Sequence, residues 1–176
     1  DKGRAEKKAL TRAENKIFQP LTTMFERHQL VFESLGFPID LSQPQFPAKA
    51  KISQPEIATI VAQSKNTIGI APFAQYDSKV YPLDLMQEVI DVLATNENQT
   101  ILLFGGGQNE KEQLQNLVGD KKNVINMAGK IPFQDELNVI SNLDVMLSMD
   151  SGNGHIAAML GVPVVTLWGA THPYAG

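Results

Sequence analysis

The sequence has no cysteine, no long apolar run and no excess of basic charge. The lack of cysteine excludes a disulfide scaffold, thiol catalysis and a cysteine-ligated zinc site. No apolar run approaches the roughly 20 residues of a membrane-spanning helix, and the N-terminus lacks the apolar core of a signal peptide. The net charge of -4 argues against general nucleic-acid binding, which favours a basic surface. We therefore expect a cytoplasmic globular protein, and the missing initiator methionine predicts that the sequence is a fragment of a longer one.

Several nucleotide-binding and metal-binding motifs are also missing. There is no G-x-x-x-x-G-K-[ST], which argues against a P-loop ATPase. No Asp-x-Asp occurs, and the three histidines are too far apart for a metal site, so no metal is expected. Residues 152–157 match G-x-G-x-x-A, but they follow a late predicted strand, which disfavours a nicotinamide-dependent oxidoreductase.

Hydrophobic periodicity predicts a helix over 22–35, a proline-rich linker over 37–55, and then alternating strands and helices. The predicted strands are Thr67–Ala71, Thr100–Gly105, Asn123–Asn126, Asp144–Met149 and Pro163–Trp168. The predicted helices between them are Pro82–Thr95, Asn109–Val118, Phe133–Asn142 and Gly154–Leu160. This alternation indicates an α/β fold, a parallel sheet with helices on both faces.

Ligands of such sheets bind beyond the carboxyl ends of the strands, so the loops at those ends are the candidate site. The loop Asp150-Ser151-Gly152-Asn153-Gly154-His155 combines small residues with a helix N-terminus, a pattern that suits a diphosphate. The same residues also fit a tight strand-to-helix turn with Asp150 or Ser151 as its cap.

Two further strand ends allow similar alternatives. Gly105-Gly106-Gly107 either admits a flat ring or sugar, with Glu110 accepting hydrogen bonds from ribose hydroxyls, or forms a flexible turn before a helix. Lys79, beside Ser78, either neutralises a phosphate or is a solvent-exposed loop lysine.

The N-terminal segment is locally basic, with lysines and arginines outnumbering acidic residues over positions 1–16. This segment is either a solvated helix face or a surface attracted to an anionic membrane or acceptor.

Taken together, the motifs of the last two strands resemble the signature of glycosyltransferase family 9, the ADP-heptose:lipopolysaccharide heptosyltransferases. The resemblance rests on Asp150–His155, then Ala157-Ala158, Gly161 and Pro163, and finally Trp168-Gly169-x-Thr171-x-Pro173. It extends back through Gly105-Gly106 and Glu110 to Ser78-Lys79 and Pro82, and so covers roughly residues 67–176.

The resemblance implies the C-terminal, Rossmann-like domain of a GT-B glycosyltransferase. Residues 48–176 would form this nucleotide-sugar-binding domain, incomplete at its C-terminus. Residues 1–47 would be the end of the N-terminal domain and the interdomain segment. The family's general base, an Asp, lies in the N-terminal domain, so no residue here inherits that role.

The resemblance also implies roles for the loop residues. Lys79 would meet the diphosphate and stabilise it as a leaving group, with Ser78 beside it. Glu110 would bind ribose, while Gly105 and Gly106 leave space for the nucleoside. The donor-binding residues of the sugar–phosphate end would be Asp150, Ser151, Gly152, Asn153, His155 and Thr171. Of these, His155 would support the loop or contact phosphate, and Thr171 would close the pocket.

The implied activity is transfer of a heptose from ADP-heptose to a lipopolysaccharide inner-core acceptor, without metal or cofactor, in the cytoplasm or at the cytoplasmic face of the inner membrane. The fragment alone would be inactive. The alternatives are a GT-B transferase that uses another nucleotide sugar and a non-catalytic nucleotide-binding module. No nucleic-acid partner is expected.

Overall fold

The structure of the protein, a computed structural model, describes residues 3–169, 172, 174 and 175. Contacts between residues divide the chain into two compact units, Asp1–Gln45 with Ala170–Gly176, and Phe46–Gly169. The assignment of residues 1–47 to the end of an N-terminal domain, and of 48–176 to a second domain, stays a prediction.

The first unit contains helices α1 (Arg4–Thr11) and α2 (Met24–Ser34). A capping box starts α2, since Glu26 N donates to Thr23 Oγ1 at 3.2 Å and Thr23 N donates to Glu26 Oε2 at 2.8 Å. The helix predicted over 22–35 is therefore confirmed, although it buries none of its residues. The pattern did not predict α1, which has few apolar residues and buries only Leu10.

The second unit is an α/β layer structure that positions the candidate site. Its strands are β1 (Asn66–Ala71), β2 (Gln99–Leu103), β3 (Val124–Asn126), β4 (Val145–Met149) and β5 (Val164–Leu167). Its helices are α3 (Pro55–Gln63), α4 (Leu83–Ala94), α5 (Gly107–Val118), α6 (Phe133–Ile140) and α7 (Gly152–Met159), with a 3-10 turn at Asp77–Lys79. Every predicted strand and helix after residue 63 is confirmed. Helix α3 was not predicted; Pro55 stands at its first turn, where proline is well tolerated.

The five strands are parallel and lie in the order β3-β2-β1-β4-β5. The chain moves from β1 outwards to β3 and then returns to β4 on the other side of β1. The strand order therefore reverses between β1 and β4, which is the switch point where such sheets bind ligands.

Both faces of the sheet are covered, as the alternation of buried residues along β2 shows. Ile101 and Leu103 pack into one core with α4 and α5, whereas Leu102 packs into a second core with α6 and α7. Burial on both faces is typical of parallel sheets and confirms the predicted α/β fold. None of the helices in the described part of the chain is long and apolar enough to cross a membrane.

Candidate nucleotide-binding site

A pocket of about 410 Å³ opens at the carboxyl ends of the central strands. It is lined by Ala71, Phe73, Ala74, Gln75, Phe104, Gly105, Gly106, Glu110, Phe133, Glu136, Ser151, Gly152 and Asn153. These residues follow β1, β2 and β4 or begin α6, so the pocket lies at the switch point of the sheet. Of the eleven residues predicted for the site, six line this pocket: Gly105, Gly106, Glu110, Ser151, Gly152 and Asn153.

The loop after β2 carries the first group of these residues. The Gly106 amide donates to Glu110 Oε2 at 2.6 Å, so the carboxylate reaches back from α5 to the strand end. A Cβ at Gly105 would lie 3.0 Å from Glu110 Oε2 and 3.0 Å from Leu114 Cδ1. A Cβ at Gly106 would meet no atom within 4 Å among the residues that the structure describes. Contacts with neighbouring side chains thus explain why residue 105 is a glycine. The open space in this loop lies at Gly106.

The N-terminus of α7 forms the opposite wall of the pocket. Ser151 stands at the N-cap position, yet its side chain caps no amide. Its Oγ is buried and has no hydrogen-bond partner in the described part of the chain. A helix also leaves the N–H groups of its first turn without intrahelical partners. A buried hydroxyl and free amides at one helix terminus together suit an anion with several acceptor oxygens.

Gly152 and Gly154 play different parts in this wall, although only one residue separates them. Gly152 has no positive φ, and a Cβ there would meet no atom of the described part of the chain within 4 Å. At Gly154, which is buried, a Cβ would collide with Ser148 Oγ and come within 3.5 Å of Met149 O. Gly154 therefore allows α7 to pack on β4, whereas the protein itself places no steric demand on Gly152.

Lys79, Asp150 and His155 form an ionic cluster beside the pocket. Lys79 Nζ lies 2.5 Å from Asp150 Oδ2, and His155 Nε2 lies 3.7 Å from Asp150 Oδ1. The Lys79 and Asp150 side chains are 28% and 17% exposed, whereas that of His155 is 73% exposed. The structure thus brings together three predicted residues from two loops, but none of them lines the pocket.

The turn that carries Lys79 is supported by the end of β5. A Cβ at Gly169 would overlap Ser78 O and lie 3.1 Å from Lys79 Cα. Only a glycine allows this close approach between the two backbones. Ser78 itself lies in the 3-10 turn away from the pocket lining. The remaining predicted residue, Thr171, lies outside the described residues.

Sequence reasoning missed four of the larger side chains that line the pocket: Phe73, Gln75, Phe133 and Glu136. Burial raises the pKa of the Glu136 carboxyl above its usual value. The strand-end rule does point to the loop after β3, because β3 ends at the same edge of the sheet, but not to the start of α6 beyond that loop. The lack of glycine or a phosphate-binding motif at the start of α6 hid this contribution.

Within the residues that the structure describes, no group of three His, Asp or Glu side chains is arranged to hold a metal ion. The polar groups at the pocket are instead amides, hydroxyls and carboxylates, with one lysine nearby. These can bind a phosphorylated organic molecule through hydrogen bonds and charge.

Comparison with known proteins identifies the family of the chain. The family model for glycosyltransferase family 9 (heptosyltransferase) matches residues 2–175. Among curated proteins, lipooligosaccharide heptosyltransferase 2 of Haemophilus influenzae is 27% identical over 123 residues, covering 67% of this chain and 35% of that protein. Lipopolysaccharide heptosyltransferase 3 of Escherichia coli K12 is 27% identical over 155 residues, covering 85% of this chain and 45% of that protein. The chain therefore spans less than half the length of these relatives.

Solved structures share the fold. The heptosyltransferase WaaC of E. coli, solved with ADP, superposes with a TM-score of 0.66 at 22% identity, covering 90% of this chain and 50% of that one. A family 9 glycosyltransferase of Veillonella parvula also gives a TM-score of 0.66, at 21% identity, covering 82% of this chain and 43% of that one. Because the family match spans nearly the whole chain, the chain belongs to glycosyltransferase family 9, the heptosyltransferase family.

Proposed function

We propose that this chain is the donor-binding half of a heptosyltransferase, which transfers a heptose from ADP-heptose to an inner-core lipopolysaccharide acceptor. The observation that carries the proposal is the buried, unpaired Ser151 hydroxyl in a pocket at the N-terminus of α7. Support comes from the relatives, which are heptosyltransferases by name, and from a structural neighbour solved with ADP-2-deoxy-2-fluoro heptose.

The diphosphate is assigned to the N-terminus of α7. There Ser151 Oγ and the amides of Gly152 and Asn153 donate to its oxygens, and the positive end of the helix dipole adds to the attraction. The nucleoside extends from this point towards Gly106 and Glu110, whose carboxylate accepts from the ribose hydroxyls. Neighbouring strands are about 4.8 Å apart, and β1 separates β2 from β4, so the two loops are roughly 10 Å apart, a spacing suited to a nucleotide.

Lys79 is proposed to exchange its partner when the donor binds. In the structure its ammonium is paired with Asp150 at 2.5 Å. A diphosphate carries more negative charge than one carboxylate, and the flexible stem of a lysine can turn its charge from one to the other. Asp150 is then free to accept hydrogen bonds from hydroxyls of the sugar, with His155 supporting the same loop.

The proposed reaction is a displacement at the anomeric carbon. The acceptor hydroxyl oxygen forms a bond to that carbon, the bond between the carbon and the phosphate oxygen breaks, and ADP leaves. Lys79 and the N-terminus of α7 stabilise the charge that develops on the leaving diphosphate. We assign the proton-accepting base to the longer protein, outside these residues.

The proposal includes four further expectations about the protein. Donor binding needs neither a metal nor another cofactor, and no nucleic acid is a partner. The longer protein is expected to act in the cytoplasm, at the face of the inner membrane where the acceptor lies. The basic residues of α1 are then available to anionic lipid.

Calorimetry with ADP, UDP, GDP and NAD tests the assignment of the donor. Preference for ADP supports an ADP-sugar donor, whereas preference for UDP or GDP would point to a transferase with another donor. A chain that binds ADP-heptose but transfers nothing by itself is expected if the base lies elsewhere. Transfer of heptose catalysed by residues 1–176 alone would contradict that part of the proposal.

A further inference from the structure

Glu136 is a carboxylate in the pocket with no assigned role. It lies in the first turn of α6 and lines the pocket, and it is only partly exposed. In the described part of the chain its carboxylate makes no hydrogen bond or ion pair, while the carboxylate of its neighbour Asp135 accepts from Ser53 and Gln54. Burial also raises the Glu136 pKa, so the ionised carboxylate lacks part of the solvation it has in water.

The charge of Glu136, more than its position, relates it to the nucleoside rather than to the phosphates. Helix α6 follows β3, the strand that pairs with β2, and the β2 loop carries Gly106 and Glu110. The α7 terminus follows β4, on the other side of β1. Helix α6 packs in the same core as α7, so the charge of Glu136 decides its role: a carboxylate repels phosphate oxygens, and a neutral part of the ligand suits it better.

The negative charge of the pocket lining requires hydrogen-bond donors from a ligand. Glu110 and Glu136 are the charged side chains in the pocket lining given above, and no lysine or arginine is among them. Glu110 already accepts from the Gly106 amide, whereas Glu136 has unused acceptor capacity. The first residue of α6, Phe133, also lines the pocket and is 63% exposed, so its ring is available to a planar group. A planar group with an N–H donor at its edge matches both residues.

From these observations we infer that Glu136 selects the base of the nucleotide by accepting a hydrogen bond from an exocyclic amine, while Phe133 packs against the face of that base. This inference rests on the proposed nucleotide-binding function and names the group that gives the site its base preference. Bases with an exocyclic amine at this edge, such as adenine, donate a hydrogen bond to the Glu136 carboxylate. Bases with a carbonyl oxygen there, such as hypoxanthine or uracil, place an acceptor against an acceptor.

The test compares ADP with inosine diphosphate, which carries a carbonyl oxygen where ADP carries the exocyclic amine and is protonated at the adjacent ring nitrogen. Calorimetry on the 176-residue chain is expected to give about 10- to 100-fold tighter binding of ADP, as for a hydrogen bond to a charged group. In Glu136→Gln the amide can also donate to the carbonyl oxygen, so the preference is expected to fall to within about threefold. In Glu136→Ala it falls to a similar level, mainly through weaker ADP binding.

The matched control is Glu88→Gln, which removes the same charge at an exposed position on α4 and is expected to leave the preference unchanged. Thermal melting of each variant checks that the fold is intact. If the chain prefers ADP but Glu136→Gln and Glu136→Ala keep the full preference, the inference about Glu136 is wrong while the proposed function stands. If the parent chain binds neither nucleotide, the proposed function fails and the inference fails with it.

Discussion

Replacing Gly152 by alanine separates a binding role of the α7 N-terminus from a structural one. Gly152 lines the pocket, has no positive φ, and leaves more than 4 Å of free space around a Cβ. The new methyl group therefore meets no atom of the described residues, and alanine is a better helix former than glycine. We expect the melting temperature of Gly152→Ala to equal or slightly exceed that of the parent.

Binding of ADP should respond differently, because the methyl group occupies the space through which a phosphate approaches the backbone. Loss of one or two charge-assisted hydrogen bonds at about 1.5–3 kcal/mol each weakens binding by roughly 10-fold to more than 100-fold. Adenosine has no phosphate, so its affinity should hardly change. Calorimetry with both ligands, beside a thermal melt, measures the two effects separately.

Gly154→Ala is the matched control, since its Cβ would collide with Ser148 Oγ behind the pocket. Overpacking of this kind costs about 1–3 kcal/mol, and each kcal/mol lowers the melting temperature by roughly 2–4 °C for a chain of this size. A Gly152→Ala protein that binds ADP as tightly as the parent would refute the diphosphate site at α7. One that melts as early as Gly154→Ala would refute the steric argument.

Three further predictions follow from the same site. Lys79→Ala should weaken ADP binding by about 10- to 100-fold while leaving adenosine binding unchanged; equal losses for both ligands in calorimetry would show that the mutation acts through the fold. ADP affinity should be the same in chelator and in magnesium, and a loss in chelator that magnesium restores would contradict metal-independent binding. Burial raises the pKa of Glu136 above 4.5, so the ionised carboxylate lowers the stability of the folded protein. This destabilisation is absent below pH 4.5 and complete once the pH exceeds the folded-state pKa. Glu136→Gln should therefore be more stable than the parent at pH 7, with the difference shrinking towards pH 4 in thermal melts; an equal difference at both pH values would contradict burial as the cause.

The strands and helices of the second unit could be predicted from the sequence because each shows its hydrophobic period within a few consecutive residues. Apolar runs such as Thr100–Gly105 and stripes such as the one on α4 show the periods of a strand and a helix directly. The rule that ligands bind at the carboxyl ends of parallel strands then selected the loops that contain Gly106, Glu110 and Ser151, without any knowledge of distances. Helix α1 has few apolar residues, and α3 starts at the last proline of the segment predicted as a linker, so neither was predicted.

Other features depended on contacts between residues far apart in the chain, and only the tertiary structure decided them. Lys79 and Asp150 are 71 positions apart, and their ion pair exists because β1 and β4 are neighbours in the sheet. Gly152 and Gly154 look alike in the sequence, but only Gly154 faces the strand behind it. Glu136 reaches the pocket because α6 begins at the edge where β2 and β4 also end, and its carboxylate has no ion-pair partner among the described residues. Local sequence patterns carry the period of each element, whereas the neighbours of a side chain depend on how the elements pack.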